Sequence, residues 1–405
     1  MRMIHTSDWH LGQNFYTKTR APEHRAFLNW LLDAVVEHQV DAIIVAGDIF
    51  DTGSPPSYAR EIYNHFVVQL QSTGCQLVIL AGNHDAVSTL NESRELLACL
   101  NTKVIARAAQ GPEQQAWIIN NRQGEPGAIL CPVPFLRPRD IQYSESGLDG
   151  HEKQQSLMNA ISAHYQQSYE AALELRGNQT LPIIATGHLT TVGAATSDAV
   201  RDIYIGSLDA FPAQAFPPAD YIALGHIHRP QKVAGSEHIR YSGSPIPLSF
   251  DETQRARSVF LVTFAAGKLE HVEALEVPVT QQLVTLKGSL AEISQQLEQW
   301  RHVSCEPKIW LDIEVNTDEY LNDMQQQIQD LAADLPVEIL LIRRSRTQRE
   351  RFMTNSQRET LSELSTEEVF ERRLSQESFT DEQAARLRSL FAQTLSSLHE
   401  EQDNS

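Results

Sequence analysis

Five short apolar runs in this chain each lead into residues able to hold a metal ion, and that repetition limits the available folds more than any other feature. The densest is Leu77 to Asp85, where Val78, Ile79 and Leu80 precede Gly82 and then Asn83, His84 and Asp85. A short unbroken run of aliphatic and β-branched residues suits a strand buried on both faces, and the glycine lets the backbone turn sharply and approach a ligand. In the same way residues 3–7 lead to Asp8 and His10, 42–46 to Asp48 and Asp51, 183–186 to His188, and 221–224 to His226 and His228. Taken singly each ending is ordinary, because a polar cluster after a strand is usually a turn. Together they predict an α/β sandwich in which the loops at the carboxyl ends of the strands share one rim and bring the five endings to one place.

The donor types narrow the chemistry. Carboxylates, imidazoles and one amide, without thiolates, suit borderline to hard divalent ions such as manganese, iron or zinc. Asp8, His10, Asp48, Asn83, His188, His226 and His228 make seven candidate ligands. That set is too large for one ion, and two ions a few ångströms apart share it if Asp48 bridges them. A pair of metals about 3.5–4 Å apart activates water and grips the non-bridging oxygens of a phosphodiester, so the expected reaction is phosphoester hydrolysis. His84 is left over from the ligand set and is placed to give a hydrogen bond or proton to the leaving oxygen, with Asp85 expected to orient it.

The rest of the chain sets limits. With 405 residues it is too long for one ordinary domain. Hydrophobic content of 41% and charged content of 21% are those of a soluble globular protein. Cys75, Cys99, Cys131 and Cys305 are far apart, with no CxxC pair, which suits a reducing cytosol. No run of eighteen apolar residues occurs and residues 1–12 carry no long apolar stretch, so neither a membrane span nor a secreted protein is expected. The net charge of −19 weighs against a broad basic surface for nucleic acid. Two divalent cations add four positive charges where a phosphate sits, however, and Arg137, Arg139, Arg201, Arg229 and Arg240 are candidates for a local basic surface.

In order, helical spacing covers 21–40, 58–71 and 91–100, and the apolar positions of the latter two, Leu96 among them, are expected to pack on the sheet. Short alternating runs at 104–135 suit edge strands of a second sheet, and 152–176 forms a long helix ended by Gly177. Pro278 marks a boundary, after which 279–344 reads as a small β-α-β-α-β unit. Arg343, Arg344, Arg346, Arg349 and Arg351 form a basic stripe, and Ser365 with Glu368 and Thr380 with Gln383 fit capping boxes opening two helices. In the second of these, Leu387, Leu390, Phe391, Leu395 and Leu398 fall on one face, which either docks on its own domain or binds a partner helix. No GxxxxGK[ST] sequence is present, so ATP binding by this chain is not indicated.

The motifs D-x-H, GD-x-x-D, GNHD, GH and GH-x-H, in this order, resemble the calcineurin-like metallophosphoesterase superfamily. Residues 6–12, 47–51 and 241–245 look more narrowly like its SbcD family of nuclease subunits, and the likeness extends over nearly the whole chain. The resemblance implies a two-sheet β-sandwich flanked by helices over 1–278, a small α+β DNA-capping domain over 279–344 and a helical partner-binding tail over 345–405. It implies one metal on Asp8, His10, Asp48 and His228, another on Asp48, Asn83, His188 and His226, and His84 as the catalytic acid. It further implies manganese, homodimerisation through the helices flanking the GNHD strand, and docking of the tail on the coiled-coil root of an SbcC-type ATPase. The expected activity is DNA cleavage in repair, recombination and replication, in the cytoplasm at the nucleoid, by an exonuclease at duplex ends and an endonuclease on single strands and hairpins. A phosphatase or cyclic-nucleotide phosphodiesterase acting on a small substrate would need neither the small domain nor the tail, and a non-catalytic scaffold would not keep all the ligands.

Overall fold

A computed structural model describes residues 1–109, 111–141, 150–192, 194, 210–254, 256–316 and 321–344, with isolated residues of the C-terminal tail. The chain divides into two compact units. One comprises Met1–Thr285, Val303–Asp312 and Pro336–Leu341, and the other Leu286–His302, Ile313–Leu335 and Ile342–Ser405.

The first unit contains two six-stranded sheets. The first sheet runs Lys268–Glu276, Ser258–Ala265, Arg2–Thr6, Ala42–Ala46, Gln76–Leu80, Thr102–Ile105. The second runs Gln231–Lys232, Ile239–Tyr241, Tyr221–Gly225, Ile183–His188, Pro126–Cys131, Trp117–Asn120. The pleat assigns each strand to two cores. Ile43, Val45, Leu77 and Ile79 point outward to the helices Ala21–Glu37 and Ser57–Gln71, whose Phe27, Leu31, Phe66 and Leu70 cover them. Their neighbours Ala42, Ile44, Val78 and Leu80 point the other way and meet Ile184, Tyr221 and Ala223 of the second sheet. The outer face of that sheet, with Ile183, Ala185, Ile222 and Leu224, lies under Leu157, Ile161 and Tyr165 of the long helix Gly150–Arg176. Strands buried on both faces explain the unbroken apolar runs.

Arg2–Thr6, Ala42–Ala46 and Gln76–Leu80 are parallel, as are Ile183–His188 and Tyr221–Gly225, so within each sheet the motif loops leave from one edge. Not every strand lies where the pattern put it. Thr102–Ile105 closes the first sheet rather than the second. Pro126–Cys131 is internal to the second, pairing with Trp117–Asn120 on one side and Ile183–His188 on the other. The helix expected at 91–100 is two short ones, Val87–Asn91 and Arg94–Cys99, and Leu96 is exposed rather than packed on the sheet.

In 279–344, strands Leu283–Gly288, Ile309–Val315 and Val337–Arg344 form a three-stranded sheet, with helices Leu290–Leu297 and Leu321–Ala332 between them in sequence. Ser289 and Glu292 cap the first of these helices reciprocally. The capping boxes read in the C-terminal tail, Leu395 and Leu398 of its apolar face, and Arg201 lie outside the described residues.

Candidate metal centre

The rim loops bring all seven expected ligands together. Asp8, His10, Asp48 and His226 adopt left-handed backbone conformations, with φ of 54°, 46°, 52° and 92°. Such a backbone is costly for residues with a side chain and marks loops held by their surroundings. Here the surroundings are hydrogen bonds between loops. Asp8 N donates to Gly47 O at 2.9 Å, His10 N to Asp48 O at 3.1 Å, and His226 N to Asp8 Oδ1 at 2.9 Å.

Asp48 sits at the middle. Its Oδ1 accepts from His84 N at 2.9 Å, and its Oδ2 lies 3.2 Å from His188 Nε2 and 3.6 Å from His10 Nε2. Asn83 Oδ1 is 2.9 Å from His188 Nε2 and 3.2 Å from His226 Nδ1. Three sets of potential ligand atoms cluster within 4.8 Å: Asp8, His10 and His228; His10, Asp48 and His84; Asp48, His188 and His226. Two glycines make this approach possible. A methyl group on Gly82 would overlap the Asp48 carboxylate, and one on Gly47 would overlap the His188 ring.

Outer partners aim the imidazoles. His188 Nδ1 donates to Ala46 O at 2.9 Å, His10 Nδ1 lies 3.1 Å from Asp51 Oδ1, and His228 Nδ1 lies 3.1 Å from Glu252 Oε1. Each of these leaves Nε2 as the atom that could meet a cation, as an outer carboxylate or carbonyl does for a metal-binding histidine. Asp8 Oδ2 accepts from Ser7 Oγ, which also meets Ser242 Oγ at 2.8 Å.

The centre fits divalent cations. His10 Nε2 and His226 Nε2 are buried without a hydrogen bond, an arrangement that costs free energy unless something else supplies the partner. The electrostatics favour positive charge. Burial works against a charged His10, but Asp51, Asp48 and Asp8 overcome it and raise its pKa to about 9. His188 is likewise raised to about 9, burial being outweighed by Asp48 and Asp8. Burial opposes ionisation of Asp48, yet His188, His84 and His10 hold its carboxyl well below the usual range. His226 is pushed well below the ordinary imidazole value by burial and by His188, so it stays neutral and keeps a lone pair to offer.

Asp85 takes a different part from the one expected of it. Its carboxylate accepts from Gly82 N at 2.8 Å, Ile49 N at 3.1 Å and Phe50 N at 3.0 Å, clamping the GNHD turn to the loop after Asp48. Burial and the neighbouring Asp48 raise its pKa to about 6 despite those amides. His84 is oriented instead through Nδ1, which donates to the Asp51 backbone carbonyl at 2.7 Å. Glu252 and Arg257 were not foreseen. Arg257 Nη1 donates to His228 O at 2.7 Å and its guanidinium pairs with Glu252, fixing the His228 loop from behind. They follow His228 by 24 and 29 residues, with no motif to mark them. Of the candidate basic residues, Arg137 and Arg139 line a cavity beside His84. Arg240 is turned away, paired with Glu237 and lying over Phe260.

A model of calcineurin-like phosphoesterases matches residues 1–230, and a model described as a type 5 capsule protein repressor C-terminal domain matches 279–378. The SbcD component of nuclease SbcCD from Escherichia coli (strain K12) is 66% identical over 398 residues, covering 98% of each chain. The chain belongs to the SbcD family of calcineurin-like phosphoesterases. The corresponding SbcD protein from Rhodobacter capsulatus is 35% identical over 313 residues, covering 74% of this chain and 75% of that one. An SbcD family member is a nuclease, and the rim of the sandwich supplies what a phosphoesterase needs: a cluster of imidazoles and carboxylates, with Asn83 and His84 facing a cavity lined by arginines. Among the described residues no helix is long and apolar enough to cross a membrane.

Proposed function

We propose that the chain hydrolyses DNA phosphodiester bonds at this centre with two divalent cations, manganese by preference. The observation that carries the reading is Asp48, one of whose oxygens faces both His10 and His188. Asp8, His10, Asp48 and His228 would hold one cation, and Asp48, Asn83, His188 and His226 the other. When bound, these cations supply the charge that neutralises the non-bridging phosphate oxygens and makes water acidic enough to attack at neutral pH.

The protein's own part is positioning and proton transfer. Water oxygen bonds to phosphorus as the bond to the leaving oxygen breaks, and His84 gives that oxygen its proton. With Nδ1 committed to the Asp51 carbonyl, a second proton on Nε2 makes the ring the cationic acid this requires. Asp85 keeps the two loops that carry Asp48 and His84 in register.

The chain acts as the nuclease component beside an SbcC-type ATPase, cutting duplex ends as an exonuclease and single strands or hairpins as an endonuclease, in DNA repair, recombination and replication at the nucleoid in the cytoplasm. The missing GxxxxGK[ST] sequence supports an external source of ATP hydrolysis. Residues 345–405 serve as the docking tail and 279–344 as the DNA-capping domain. Val68 and Leu96, 55% and 65% exposed on helices beside the GNHD strand, support a homodimer there.

Hydrolysis of linear duplex DNA and of a small phosphodiester, each with manganese and with chelator, tests the reading. DNA cleavage that vanishes with chelator and exceeds small-ester turnover is expected. Turnover of the ester alone, even after the ATPase is added, would favour a small-molecule phosphodiesterase.

A further inference from the structure

Beside His84 lies a cavity of about 660 Å³ lined by Arg107, Arg137 and Arg139. A second, of about 280 Å³, is lined by Arg94, Arg107 and Trp117, and the two adjoin, since Asn91 and Arg107 line both. In a chain of net charge −19 this grouping of arginines needs a reason. The one carboxylate among the lining residues is Asp85, which is buried and taken up by three backbone amides. Arg137 is set in place, its Nη2 donating to Asp85 O at 2.8 Å and its guanidinium 5.5 Å from the Phe135 ring. Arg107 is exposed and has no carboxylate partner among the described residues. At the far end Lys103 Nζ lies 4.7 Å from the Trp117 ring, adding charge beside an aromatic surface.

We propose that the double cavity is a strand path. The phosphate next to the scissile one, on the side where His84 protonates the departing oxygen, sits against Arg107 and Arg137, and the following nucleotide reaches Arg94 and Trp117. Guanidinium forks match phosphate oxygens, and a basic groove ending in an aromatic ring is how proteins hold single strands without reading their sequence. The inference rests on the nuclease reading and adds to it a subsite that a small ester does not fill.

The test uses the full chain with manganese on a short single-stranded DNA and on bis(p-nitrophenyl) phosphate, which lacks the neighbouring phosphate. For Arg107→Gln and Arg139→Gln, both at exposed positions, KM for the oligonucleotide should rise about tenfold with a smaller change in kcat. The loss on DNA should exceed the loss on the ester several-fold, and the salt dependence of DNA cleavage should flatten by about one unit of slope for Arg107→Gln. Arg107→Lys should recover part of the loss. Equal losses on both substrates, or none on DNA, overturn the strand path and leave the nuclease reading intact. A wild-type chain that turns over the ester but not DNA, even after the ATPase is added, overturns the nuclease reading and this inference with it.

Discussion

At the scale of single residues, the proposed centre separates groups that would hold a cation from groups that aim them, and the two should fail differently. Glu252 touches no substrate. It holds His228 through Nδ1 and accepts from Leu248 N at 3.0 Å, so Glu252→Gln keeps the shape and removes the charge behind the imidazole. Outer partners of this kind typically contribute 10- to 100-fold in metal affinity. A manganese titration by calorimetry should show a loss of that order at one of two sites, with activity recovering at high manganese. His84→Gln should behave in the opposite way: manganese affinity near that of wild type, and kcat on DNA lower by about 10²–10⁴. Wild-type turnover in His84→Gln would refute the proton-donor role. That His84 stands beside the cluster of imidazoles and carboxylates was legible from its place after Asn83. That the Asp51 carbonyl, rather than Asp85, orients it was not, because a backbone oxygen has no signature in sequence.

At the scale of elements, the strands with their loops were the most legible part of the chain. Apolar runs such as Ile43–Ile44–Val45 are buried on both faces, and that burial is what makes them readable. Edges and short helices were less so. Pro126–Cys131 starts exposed and is buried from Ala128 onward, so its internal place depends on the partner at Ile183, which pattern cannot supply. Glu252 and Arg257 act on His228 from 24 and 29 residues away along the chain, a pairing that tertiary contact and not local pattern makes. Gly82, the first residue of GNHD, was read as letting the chain turn sharply and make a close approach. Its φ is not in the left-handed region, and the constraint is instead the Asp48 carboxylate packed against its α-carbon. Gly82→Ala should therefore displace Asp48 and spare the fold: manganese-dependent hydrolysis falls at least a hundredfold, of the order seen when reacting groups are misplaced by an ångström, while the circular-dichroism spectrum is retained. Unfolding of the variant would show that the loop is part of the core rather than a platform for the site.

At the scale of the whole molecule, buried histidines make stability depend on pH from both sides. His5 lies between the two sheets with Tyr221 Oη 2.9 Å from Nδ1 and Leu224 O accepting at 3.1 Å, and burial lowers its pKa to about 3. His24 is fully buried with no well-formed hydrogen bond at either nitrogen, and burial followed by the Arg20 and His10 charges lowers it to about 3 as well. In the unfolded chain both titrate near 6.5. Between about pH 6.5 and 3 the unfolded state binds the extra protons, so the contribution of these two groups is complete above pH 6.5 and is lost as pH falls through that window. The slope is about 1.4 kcal/mol per pH unit for each proton. His10 and His188 work in the other direction. Raised to about 9 by the surrounding carboxylates, they contribute fully below pH 6.5 and lose that contribution as pH rises to about 9. In chelator the melting temperature should thus peak near pH 6.5 and fall on both flanks. Manganese bound at the rim would replace those protons, so adding it should lift the alkaline flank and release protons on binding, while the acid flank stays set by His5 and His24 against the smaller opposing contribution of Asp85, whose pKa of about 6 favours the folded chain only at lower pH. His24→Leu fills the same buried space without a group to charge, and it should flatten the acid flank alone. If melting in chelator is independent of pH between 4 and 6.5, the two buried rings are not neutral in the folded chain, and the sandwich must admit water at His5 or His24.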